Sequence, residues 1–121
     1  MKKKKILLIF PNNINAQFFK CAMGKIGHIS HVKTWTEAHY LQKEKRFDAV
    51  FTEIREVGMY DYPECLSSLV EESGCPVIVL TSQHFQDEER KCREAGAKDF
   101  ILLGSSRATS INALKQIIDE L

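Results

Sequence analysis

Two polar side chains stand where apolar runs end. Glu53 follows Ala49, Val50, Phe51 and Thr52, and Thr81 follows Val77, Ile78, Val79 and Leu80. A lone carboxylate at the end of a buried strand is costly, so such groups are paired, metal-bound or functional. The other chemistry-bearing residue types offer less. Cys21, Cys65, Cys75 and Cys92 form no CxxC pair and match no zinc spacing. They are expected as reduced, mostly buried thiols. His28 and His31 lie three apart on a predicted strand, which points them to opposite faces and gives no metal site.

The elements that must position Glu53 and Thr81 follow from the apolar pattern. The runs at 6–10, 48–52, 76–81 and 99–103 are continuous rather than alternating, which predicts strands covered on both faces, as in a parallel sheet. The weaker run at 28–34 predicts a strand nearer an edge. Helical spacing fills the gaps. Over 14–26, Ile14, Phe18, Ala22 and Ile26 recur four apart with Phe19 and Met23 beside them, Asn12 or Asn13 can cap, and Gly27 can end the helix. Further helices are predicted over 36–46 (cap Thr34 or Thr36, with Ala38 and Leu41 inward), 63–73, 85–95 and 106–121 (cap Ser105 or Ser106). Pro63 opens the third and Gly74 ends it; Gly96 ends the fourth. Strand and helix alternate five times, which predicts an α/β, flavodoxin-like, doubly wound five-stranded parallel sheet of order 2-1-3-4-5, (βα)5, as one domain over residues 1–121. Sites in such sheets lie at the carboxyl ends of strands beside the switch point, here Phe10–Pro11 and Thr52–Glu53.

Composition narrows the class. The chain has 121 residues, 44% hydrophobic and 27% charged, with a formal net charge of +1. One core and no global field for nucleic acid or an acidic substrate are implied. The basic run Lys2–Lys5 is local and solvates the first strand. No run approaches the roughly 20 apolar residues of a membrane span, and Ile6–Phe10 is too short for a signal peptide, so a cytoplasmic protein is expected.

In this order and spacing the motifs resemble a response-regulator receiver domain of the chemotaxis-regulator type. "FDAVFTEI" resembles the family's third strand, with Glu53 at the phosphate-accepting aspartate. "VGMYD" (57–61) resembles the loop after it. "PVIVLTS" places Thr81 as the switch hydroxyl. "EAGAKDFILLG" resembles the stretch that carries the switch aromatic, here Phe100. The resemblance implies two acids after strand 1 to hold magnesium, where this chain has Phe10 and Pro11, with Asn12 one residue on. It implies a lysine and a proline after strand 5, where Leu103 and Gly104 stand. Of these chemistry positions only Thr81 keeps the family's residue.

Phosphoryl transfer to a carboxylate depends on positioning and on cations that neutralise developing charge. With no acid pair and no lysine, neither is supplied. The expectation is a degenerate pseudo-receiver, not an enzyme, with no cofactor and no metal, acting by protein–protein contacts. Glu53 then either imitates a phosphoaspartate and holds Thr81, or is a partly solvated relic bonded to Thr81 or to loop amides. Alternatives are an atypical receiver phosphorylated or held active through Glu53, and a small flavodoxin-like enzyme or cofactor binder. The latter lacks a glycine-containing phosphate nest in "FPNNINAQ". The expected partner is a protein or an output domain, with no direct nucleic-acid or membrane binding. A homodimer would use the face of the fourth helix, fifth strand and fifth helix, drawing on Arg90, Arg93, Glu94, Lys98, Asp99, Asn112, Lys115 and Asp119.

Overall fold

Runs too apolar to face water on either side form the central sheet. The computed structural model describes residues 4–11, 17, 19–21, 23–24, 27–54, 62–81, 86–102 and 107–120, with residues 62, 63 and 107–111 described for their backbone alone. The strands are β1 (Lys4–Ile9), β2 (Gly27–Val32), β3 (Ala49–Glu53), β4 (Val77–Thr81) and β5 (Asp99–Leu102). They pair in the order β2-β1-β3-β4-β5, and every pair is parallel. The helices are α1 (helical at residues 17, 19–21 and 23), α2 (Trp35–Glu44), α3 (Tyr62–Ser73), α4 (Gln86–Glu94) and α5 (Arg107–Asp119). The predicted architecture and strand order are therefore those observed. Among the described residues no helix is long and apolar enough to cross a membrane.

Alternate side chains of each strand feed two cores. Leu7, Ile9, Val50, Val77, Val79 and Phe100 pack with Trp35 and Ala38 of α2, Leu66 and Leu69 of α3 and Cys92 of α4. Ile6, Leu8, Phe10, Phe51, Ile78 and Leu80 pack on the other face with Phe19 and Met23 of α1 and with Leu114 and Ile118 of α5. Burial on both faces explains why these runs do not alternate.

Local signals set the start of α2 and the ends of α3 and α4. Thr34 has extended backbone, and its hydroxyl accepts the Glu37 N–H at 3.2 Å. The Glu37 carboxylate in turn accepts the Lys33 N–H at 3.2 Å, a reciprocal cap. Gly74, at φ 61°, and Gly96, at φ 109°, end α3 and α4 in backbone that other residues adopt at a cost.

Two expectations are corrected. Gly27 does not end α1 but opens β2, opposite Lys4; a Cβ there would lie 2.9 Å from Ile6 Cδ1, so the glycine serves close strand packing. The cysteines are not mostly buried. Only Cys92 is; Cys75 is half-buried, and Cys21 and Cys65 are exposed. Cys21 lies between the inward Phe19 and Met23, and Cys65 precedes the inward Leu66, which turns both toward solvent. Residues 1–3, 12–16, 18, 22, 25–26, 55–61, 82–85, 103–106 and 121 lie outside the described residues. The expectations for Asn12, Asn13, Leu103, Gly104, Ser105 and Ser106, and for the loop at 57–61, fall there, as do Ile14, Phe18, Ala22 and Ile26 of the first helical stripe.

Candidate functional site

The register brings the expected site residues to one end of the sheet. Ile9 pairs with Thr52, Glu53 with Leu80, and Thr81 with Leu102. Phe10, Glu53 and Thr81 thus close the carboxyl ends of β1, β3 and β4. Thr81 is fully buried, and Glu53 is buried at 7% exposed. β3 runs on through Glu53, and this burial departs from the partial solvation expected of a relic. One of its partners is the next amide. Oε1 accepts the Ile54 N–H at 3.0 Å, so the carboxylate bends back onto the strand end.

Phe10 does not face a cleft. Its ring is 4% exposed and packs against Phe19 of α1 with centroids 5.8 Å apart, inside the core beneath α1 and α5. Its N–H donates to Val32 O at 3.0 Å, which ties it to the end of β2. Its carbonyl accepts from His31 Nε2 at 2.7 Å, so that nitrogen carries the proton. Pro11 beside it is half-buried and offers no donor. Phe100 is buried in the opposite core, and its N–H donates to Asp99 Oδ1 at 2.8 Å. Among the described residues no group of three or more histidine, cysteine or acidic side chains is placed to hold a metal.

One feature of the site was missed in the sequence. Thr52 is fully buried; its Oγ1 accepts the Trp35 Nε1–H at 2.7 Å and donates to Glu53 O at 2.8 Å. A relay therefore runs from the start of α2 to the backbone of Glu53. The available signal was a threonine in a strand otherwise apolar up to Glu53, since a buried hydroxyl needs partners.

The face expected to form an interface is already partly occupied. Arg93 meets Glu89 at 3.0 Å and Asp99 at 3.4 Å, and Arg90 reaches Asp87 and Glu94 at 3.6 and 3.7 Å. These carboxylates, the Glu89 hydrogen bond foremost, push the Arg93 guanidinium above its ordinary pKa. Arg90, Arg93, Glu94 and Asp99 are thus matched within one chain. Lys98, Asn112, Lys115 and Asp119 are exposed, and Asp99 is half-buried.

No protein-family model matches the sequence, and no curated protein does. Solved structures match along nearly the whole chain. A response regulator from Thermotoga maritima superposes with a TM-score of 0.84 at 22% identity, covering 98% of this chain and 99% of that one. A two-component response regulator from Clostridium difficile gives 0.83 at 19% identity, covering 98% and 97%. The receiver domain of a sensor histidine kinase from Pseudomonas aeruginosa PAO1, which has a magnesium ion coordinated in its active-site cleft, gives 0.76 at 20% identity, covering 98% and 97%. With its sheet order, its two helical layers and Glu53 at the end of β3, this chain has the fold of the response-regulator receiver domain.

Proposed function

We propose that the chain is a pseudo-receiver, a two-component-type signalling module that acts through protein contacts without an aspartyl phosphorylation cycle. The observation that carries this reading is Phe10. The Pseudomonas receiver domain holds magnesium in its cleft; where the resemblance calls for an acid after β1, this chain turns an aromatic ring into the core against Phe19. Magnesium needs oxygen ligands in near-octahedral geometry, and a phenyl ring and a proline supply no side-chain oxygen. Neither cofactor nor metal has a role in this reading. The partner is a protein or an output domain in the cytoplasm, with a homodimer through α4, β5 and α5 as one arrangement.

A second reading shares the fold. Glu53 places a carboxyl group at the acceptor position without a kinase, and its Oε1 accepts the Ile54 N–H, which suits a site set permanently in one state. The imitation of a phosphoaspartate is partial, one charge against roughly 1.5–2. Intact mass after acetyl phosphate and magnesium tests both readings. No phosphoryl adduct is expected; a single adduct that disappears in Glu53→Gln would show a working receiver.

A further inference from the structure

At the opposite end of the sheet from Glu53, a concavity of about 370 Å³ opens between the starts of β1 and β2 and the connector after α2. Beside the buried Phe47, six polar residues line it: Lys5, His28, Ser30, Glu44, Lys45 and Arg46. All but Ser30 are exposed, and Ser30 is half-buried. Five of the six carry donors, and Glu44 is the one acid. Asp48, nearby, has its carboxylate engaged by the Lys5 backbone N–H at 2.7 Å. Among the described residues no carboxylate pairs with Lys5, Lys45 or Arg46. Arg90 and Arg93, by contrast, each lie within 4 Å of two acids. A second concavity of about 380 Å³ on the other side of the connector shares Lys45 and Arg46, so both cations are reachable from two sides. All this lies on a chain whose net charge is only +1, so the positive charge is local rather than general.

We propose that this concavity binds a phosphate group, carried by a small phosphomonoester or pyrophosphate. Arginine offers a planar fork that matches phosphate oxygens, and lysine offers a strongly hydrated point charge. Lys45 and Arg46 supply one of each on a connector tied at both ends: the Lys45 N–H donates to Leu41 O at 3.0 Å, and the Asp48 N–H to Lys5 O at 2.7 Å. Lys5 faces them from β1, and Ser30 and His28 supply further donors from β2. The volume is at the small end of ligand pockets, which suits a phosphate ester rather than an extended chain. The carbonyl end of α2 adds to Glu44 and Asp48 as a contribution of opposite sign, and the Lys45 N–H caps part of it.

Calorimetric titration of the whole chain with pyrophosphate at low ionic strength tests the proposal. Saturable binding is expected, weakened at least about tenfold by the double variant Lys45→Glu, Arg46→Glu and weakened by added salt. Both positions are exposed, and circular dichroism confirms that the variant is folded. Lys115→Glu, on α5, tests for an effect of charge placed elsewhere on the surface and should leave binding within about twofold. Vesicles of phosphatidylcholine with phosphatidic acid form the second arm. Vesicle binding without pyrophosphate binding, lost in the double variant, supports the same phosphate site with a lipid headgroup as its source. Absence of binding in both arms overturns the proposal, and so does equal weakening by Lys115→Glu.

Discussion

Thr52 shows how one residue carries more than its own packing. Its hydroxyl is fully buried between the Trp35 indole and the Glu53 carbonyl. Thr52→Val keeps the shape but leaves a buried indole N–H without an acceptor, which costs about 1–3 kcal/mol. Thr52→Ser keeps the hydroxyl and should cost less; urea unfolding followed by circular dichroism measures both. Glu53→Asp makes a different point. Shortening the side chain restores the family's residue, yet acetyl phosphate and magnesium should still leave no adduct by intact mass, because charge neutralisation and positioning act together. The location of Glu53 was legible because a carboxylate ending an apolar run is conspicuous. The Trp35–Thr52 bond was not, because its partners lie 17 residues apart and meet only once β3 and α2 are side by side.

Among the elements, α4 is the most lightly held. Cys92 is its one buried residue, whereas α3 buries Leu66 and Leu69 and α5 buries Leu114 and Ile118. Few buried apolar contacts mean low local stability. The expected order of thiol labelling follows: Cys21 and Cys65 react at once, and Cys92 reacts only as α4 opens, well before global unfolding. Burial first, then Glu88 and Glu89, push the Cys92 thiol from 9.0 up to about 11; burial and then Asp48 do the same for Cys75. The unfolded chain ionises near 9.0 and the folded chain does not. The stability these thiols contribute is therefore complete below that pH and is lost as pH rises toward 11. Thermal unfolding between pH 8 and 11 should show that loss, and it should shrink in Cys92→Ala after correction for the cavity. The helix period of α4 was readable from its acid-first, base-later sequence, but its thin attachment was not. A helix with charge almost all round looks alike whether it rests on one side chain or several.

For the molecule as a whole, sequence period and burial agree. Four continuous apolar runs and a weaker fifth, separated by helical spacing, leave few topologies once crossovers must be short and right-handed, which is why the strand order was legible. Gly27 was misassigned because a glycine between helix and strand marks either a helix end or a close approach, and only the register with Lys4 separates them. The missing acid pair predicts behaviour of the entire site. Titration with millimolar magnesium should produce no saturable amide shifts at residues 10–11 and 53–54; a saturable shift there would point to ligands supplied by other parts of the chain. Trp35 is the chain's single tryptophan, and through Thr52 it touches the backbone of Glu53. The fold thereby carries an optical probe at its own site position. Indole emission responds to the loss of a donor bond and to entry of water, so an event that displaces the end of β3 becomes visible as a change in intrinsic fluorescence. Candidate partners, nucleotides and ions can be screened against the unlabelled protein, with Thr52→Val as the variant in which the wire between probe and site is cut.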